Sequence, residues 1–155
     1  MAENIFDVKK LKETKGRILS VDFGDTRTGL AVSDPSRFLA SGIGTVSPGG
    51  MEKTAQKVAE IATEQKATSI VVGLPRNMDG TEGFRAQRCV EFAERLAALL
   101  PDATVVMMDE RLTTVSASRY LNETNTRGAK RKGVIDTLSA EIILQNALDK
   151  LKMIQ

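Results

Sequence analysis

Histidine is absent from this 155-residue chain, and cysteine occurs once, at Cys89. The first absence removes the commonest general acid or base and the commonest transition-metal ligand. The second excludes an internal disulfide and a cysteine-built zinc site. Any catalysis falls to carboxylates, lysine, tyrosine, hydroxyls or an oxygen-bound metal such as magnesium or manganese. Aromatic residues make up only 4% of the chain and no aromatic RNA-binding motif is present, so base stacking is not expected to drive recognition. No apolar run approaches the ~18 residues of a membrane helix. The opening stretch, MAENIFDVKKLKETKG, lacks the apolar centre of a signal peptide. No membrane association and a cytoplasmic location are therefore expected.

What is present fits one domain with a proper core: 41% hydrophobic and 27% charged residues. The net charge of +2 does not by itself indicate a polyanionic partner, but its distribution does. TRGAKRKG groups Arg127, Lys130, Arg131 and Lys132, with no acid from Thr124 to Ile135. Residues 1–16 read as a loose lead-in, and 17–152 as a single domain.

Hydrophobic periodicity then divides the chain. RILSVDF (17–23) alternates, with Leu19, Val21 and Phe23 on one face and Ile18, Ser20 and Asp22 on the other. GLAVSD (29–34) is a second strand stopped before Pro35, and ASGIGTVS (40–47) a weaker third. Their short connections favour an antiparallel meander. A helix follows at about 51–65, with Met51, Ala55, Val58 and Ala62 on one stripe. TSIVVGLP (68–75) and ATVVMMDE (103–110) are continuous apolar runs of the kind found in buried parallel strands. Between them a helix at about 84–100 presents Cys89, Phe92, Ala93, Leu96 and Leu99 or Leu100, which makes Cys89 a core residue. A short helix near 114–122, the basic loop and a last helix at about 134–150 complete an α/β order. Three antiparallel strands followed by two parallel ones give a mixed five-stranded sheet with helices on both faces.

In such a sheet, sites form beyond the carboxyl ends of the parallel strands. Three features meet there if those strands are neighbours: Asp22, the loop GLPRNMDG, and Asp109-Glu110. Each is ordinary alone. Asp22 reads as a strand-end carboxylate accepting N–H bonds from the next turn. Adjacent strand residues point to opposite faces, so only one of Asp109 and Glu110 can join it. Asp136 reads as a first-turn acid favoured by the helix dipole, worth roughly 0.3–1 kcal/mol. Together, carboxylates gathered on one edge repel one another and need cations. Gly24 leaves a sharp turn and open space beside Asp22, and no Lys or Arg stands two residues along the strand, so a metal is the expected partner. Magnesium suits an all-oxygen site. With a basic segment beside it, such a site suits phosphodiester hydrolysis by metal-activated water, which requires no histidine.

VDFGDTRTGLAVSD, IVVGLPRNMDGTEG, DERLTT and KRKGVIDTLSAEIILQ together resemble the YqgF family, RuvX-like proteins described as pre-16S rRNA nucleases and Holliday junction resolvases. The resemblance spans about 18–148. It implies an RNase H-like fold and metal-binding catalytic acids at Asp22, Glu110 and Asp136, with Mg2+ or Mn2+ as cofactor. Arg76 and Asn77, in the family loop, are expected to orient the strand or the site, and the basic residues Arg127, Lys130, Arg131 and Lys132 to hold phosphates. The expected substrate is structured RNA, an rRNA precursor, ahead of branched DNA; a resolvase would be a homodimer. Many nucleases of this fold carry a fourth acid one helical turn from the last, where this chain has Ser139 and Ala140. Glu141, about 140° round the helix from Asp136, is expected to face away. Gly133 stands where relatives often carry another base. Two other functions compete. The DFGDTRTG turn resembles the phosphate hairpin of actin-type ATP-binding proteins, but those need two such domains. A non-catalytic RNA-binding ribosome-assembly factor could retain the acids.

Overall fold

The computed structural model describes residues 8–75, 83–110 and 128–153, with side chains in the last segment from 137 onward. The strands are β1 (Arg17–Asp22), β2 (Thr28–Ser33), β3 (Ala40–Val46), β4 (Ala67–Leu74) and β5 (Thr104–Asp109). The helices are α1 (Met51–Glu64), α2 (Phe84–Leu99) and α3 (Gly128–Met153). They form one sheet in the order β3-β2-β1-β4-β5. β1 pairs antiparallel with β2, and β2 with β3, while β1, β4 and β5 run parallel. The expected mixed sheet is thus present, with its three parallel strands adjacent.

Alternation along β1 sorts the two cores. Leu19, Val21 and Phe23 pack against α1 and α2, joining Met51, Ala55, Val58, Ala62, Cys89, Phe92, Ala93 and Leu96. Leu100 packs against this layer, while Leu99 is 42% exposed. Burial pushes the Cys89 thiol up to about 12, so it stays a small apolar group. On the other face Ile18, Ala31, Val71, Val106 and Met108 meet Ala140, Ile143, Leu144, Ala147 and Leu148 of α3.

The lead-in is not loose over its whole length. Val8–Glu13 forms a 3-10 helix that buries Val8 and Leu11 against the α3 layer. Burying a Leu side chain contributes roughly 1.5–3 kcal/mol toward the cost of ordering this segment. Arg37 holds it in place by donating to the carbonyls of Gly16 (2.7 Å) and Leu11 (2.6 Å) and to the Thr14 hydroxyl (2.9 Å).

The basic segment is also corrected. Helix α3 begins at Gly128, so Lys130, Arg131 and Lys132 lie on helix rather than in a loop. Ala, Lys and Arg are strong helix formers, and a single interior glycine at Gly133 costs only about 1 kcal/mol. Asp136 therefore stands more than two turns into the helix, beyond the reach of its N-terminal dipole. Arg76, Asn77, Arg127 and the helix expected at 114–122 lie outside the described residues.

Candidate active site

The carboxyl ends of the parallel strands define the site. Asp22 is the last residue of β1, and its side chain is buried. Phe23, next along, stacks on Phe92 of α2 with ring centroids 4.4 Å apart and planes 17° from parallel. Gly24 then closes the turn: its N–H donates to the Thr28 hydroxyl at 3.4 Å, and that hydroxyl donates to the Gly24 carbonyl at 3.3 Å. The space expected beside Gly24 is filled. A Cβ there would overlap the Arg27 carbonyl, so glycine is required by close approach of backbone.

The choice between Asp109 and Glu110 is made by the sheet. Val105 and Met107 belong to the α1–α2 layer, Val106 and Met108 to the α3 layer. Continuing the alternation places Glu110 on the α3 face, the face shared by Ile18, Ser20 and Asp22. The Glu110 N–H donates to the Leu74 carbonyl at 3.0 Å, which extends the ladder past β5. Extending the β1–β4 register by one residue sets Gly73 beside Asp22. A side chain at Gly73 would overlap Oε1 of Glu110 and come within 2.7 Å of the Ile143 methyl. Gly73 thus leaves a bay in the middle strand, with Asp22 on one side and the Glu110 carboxylate reaching into it from the other.

Helix α3 crosses this bay. The Ser20 hydroxyl donates to the Ala140 carbonyl at 2.7 Å. Leu148 and Leu151 share a groove with Lys12 and Thr14, at the opposite end of β1, so α3 runs antiparallel to that strand. Four helical residues rise about 6 Å, and two strand residues about 6.6 Å. The backbone of Asp136 therefore lies level with Asp22. Its side chain, like those of Lys130, Arg131 and Lys132, is outside the described ones, and among the described residues no group of three acids or thiols assembles. Glu141 faces away from the bay, as its helical angle implies, and accepts the Gly42 N–H at 2.9 Å.

Asp22 does have a protein base beside it. Nη2 of Arg85, on α2, stands 4.0 Å from its Oδ1. Arg85 is half-exposed, and it lines a cleft of about 230 Å3 with Arg88 and the Gly24–Arg27 turn. Arg88 donates from Nε (3.1 Å) and Nη2 to Asp25. Arg85 is the neighbour of Asp22 that strand periodicity misses. A signal was present: the first turn of α2 contains no acid and carries a cation against the helix dipole.

Among the described residues, Oδ1 of Asp22 and Oε2 of Glu110 are buried atoms that accept no hydrogen bond, although both residues make other contacts. Burial pushes the Glu110 carboxyl from 4.5 up to about 8; Arg85 opposes the rise and Asp109 adds to it. The folded protein then keeps a proton that the unfolded chain releases, and stability falls with pH across that window. The contribution is complete below about 4.5 and lost through about 8. In metal-free melts from about pH 5 to about pH 9, wild type is expected to lose a few kcal/mol relative to Glu110→Gln, whose amide does not titrate. Parallel stability curves for the two proteins would mean that Glu110 is solvated.

The profile of the RuvX family, described as Holliday junction resolvase, matches residues 16–150. A protein of Ruminiclostridium cellulolyticum is 43% identical over 136 residues, spanning 87% of this chain and 95% of its own. One from Staphylococcus carnosus is 41% identical over 138 residues, spanning 88% and 97%. Both bear the name "Putative pre-16S rRNA nuclease". Thermus thermophilus RuvC, solved with a Holliday junction substrate, superposes with a TM-score of 0.54 at 14% identity, over 90% of this chain and 97% of that one. At that identity the likeness speaks for the fold, which is RNase H-like. A profile that spans all but the two ends, with relatives above 40% identity over nearly their full length, makes this chain a member of the RuvX family.

Proposed function

We propose that this chain is a metal-dependent endonuclease that hydrolyses phosphodiester bonds in structured nucleic acid, with the precursor of 16S rRNA as its substrate. What supports this reading is the bay over Gly73: the Glu110 carboxylate reaches into it, and buried Asp22 ends the neighbouring strand in register with Gly73. Two buried carboxylates facing one gap form an all-oxygen donor set without histidine, which fits Mg2+ or Mn2+. Asp22 and Glu110 would hold the ion, and Asp136, level with Asp22 on α3, would complete the set. When bound, the cation supplies Lewis acidity and a nucleophilic water. The protein's own part is placement. β1 and β5 fix the two carboxylates on a rigid sheet edge, and the α3 and α2 layers keep the floor of the bay dry. Lys130, Arg131 and Lys132, two turns or less before Asp136, would hold backbone phosphates, with Arg127, Arg76 and Asn77 orienting the strand.

The substrate preference follows the names of the full-length relatives. Branched DNA is the second reading, favoured by the description of the family profile. Paired cleavage of a junction would need a two-fold dimer. No described helix is long and apolar enough to cross a membrane. One preparation, incubated with a 16S precursor transcript and with a four-way junction, with and without Mg2+, tests the proposal. Cleavage of the transcript only with metal is expected. Preferential cleavage of the junction would make the chain a resolvase. Binding without cleavage of either would leave the assembly-factor reading.

A further inference from the structure

We propose that Arg85 holds two places in turn: counter-cation of the Asp22–Glu110 pair while no divalent ion is bound, and ligand to a phosphate of the bound strand once one is. This rests on the nuclease reading above and extends it to a residue that reading does not use. Three observations carry it. First, Nη2 of Arg85 lies 4.0 Å from Oδ1 of Asp22, an ion-pair distance longer than a hydrogen bond. Charge, not a directional bond, holds it there. Second, Arg85 sits in the first turn of α2, where the helix dipole disfavours a cation and no acid shares the turn. The buried Asp22 carboxylate offsets that penalty. Third, the two arginines of the cleft differ. Arg88 is tied to Asp25 by two N–H bonds, whereas the Arg85 side chain is 50% exposed at the cleft mouth.

A divalent cation on Asp22 would stand within a few ångströms of this guanidinium and repel it. The side chain is long and half in solvent, so it can swing into the cleft without disturbing the core. There its planar fork suits two oxygens of a phosphodiester. Exchange of one cation for another thereby couples metal loading to capture of the strand.

The test uses the full chain, with Arg85→Ala, Arg85→Gln and Arg85→Lys. Mn2+ affinity is measured calorimetrically without nucleic acid. Affinity for a 16S-precursor RNA hairpin is measured by anisotropy across salt, at low temperature, with and without Mn2+, and with RNA integrity checked on a gel. Arg85→Ala and Arg85→Gln are expected to bind Mn2+ roughly three- to tenfold tighter than wild type, because a like charge has been removed from a partly solvated site. With Mn2+ present, their log–log salt slope should be shallower by about 0.7–0.9, the loss of one phosphate contact. Without Mn2+, their slopes should match wild type, because Arg85 is then engaged with the carboxylates. Arg85→Lys keeps the charge and should restore wild-type Mn2+ affinity. Unchanged or weaker Mn2+ binding in the neutral variants, or a slope difference that is absent or independent of Mn2+, overturns the proposal. Wild type that binds neither Mn2+ nor the hairpin would instead overturn the nuclease reading itself. If the alanine variant melts early, the glutamine variant decides.

Discussion

Asp22→Asn, Glu110→Gln and Asp136→Asn are each expected to lower metal-dependent cleavage by roughly a thousandfold or more. A metal-held charge contributes several kcal/mol of transition-state stabilisation, and each 1.36 kcal/mol is tenfold in rate. The loss should appear without unfolding. Glu110 keeps its proton up to about pH 8, so at neutral pH an amide replaces a neutral carboxyl of the same shape. Asp22→Asn removes the partner of Arg85, but that guanidinium is half-exposed and solvent takes over its solvation. RNA affinity should hold in Glu110→Gln, and hold or rise in Asp22→Asn and Asp136→Asn, where loss of a negative charge eases the approach of phosphate. Cleavage rates, thermal melts and hairpin binding, measured on one set of preparations, check all three statements. Wild-type cleavage by all three variants would place the active site elsewhere. A variant that loses cleavage and folding together would show its carboxylate to be structural.

Phe92→Ala is expected to destabilise the protein by about 3–5 kcal/mol, the usual loss for a buried aromatic ring cut back to a methyl. Phe92 is wholly buried in the α1–α2 layer and stacked on Phe23. For a chain of this size each kcal/mol shifts Tm by about 2–4 °C, so a fall of roughly 6–20 °C should follow. Phe92→Leu keeps most of the volume and should cost less than about 1.5 kcal/mol. The consequence reaches the site, because Phe23 is bonded to Asp22. Without its stacking partner the end of β1 loses its anchor on α2, and the surviving folded fraction should cleave more slowly than its concentration predicts. Denaturant melts with active-site titration would show this. A loss below about 1 kcal/mol would mean that the cavity collapses and the stack does not position the strand end.

Local pattern was enough for the regular elements. β1 alternates, β4 and β5 are unbroken apolar runs, and the stripes of α1 and α2 repeat at helical spacing. Each signal is carried by neighbours within one or two turns. Sequence pattern starts α3 at about 134 and the structure at 128, because the basic run TRGAKRKG has the charge of a solvated loop but the propensity of a helix. The lead-in carries no legible pattern, because its buried residues, Val8 and Leu11, are too few to show a period. Their partners, Arg37 and the α3 layer, lie far along the chain.

The sequence by itself determined what any metal site in this chain must do without. With no histidine and one cysteine, its ligands would be oxygens, and the strand pattern sets Asp22 and the Asp109-Glu110 pair at strand ends. The tertiary structure decided which of them meet. Alternation assigns faces only once a second strand supplies a reference, and the shared face of Ile18, Ser20 and Val106 selected Glu110 over Asp109. The close packing of Glu110 and Ile143 over Gly73 and the approach of Arg85 to Asp22 are contacts between residues roughly forty to seventy positions apart. Periodicity carries no information at that range, because the separation is closed by the packing of α2 and α3 onto the two faces of the sheet.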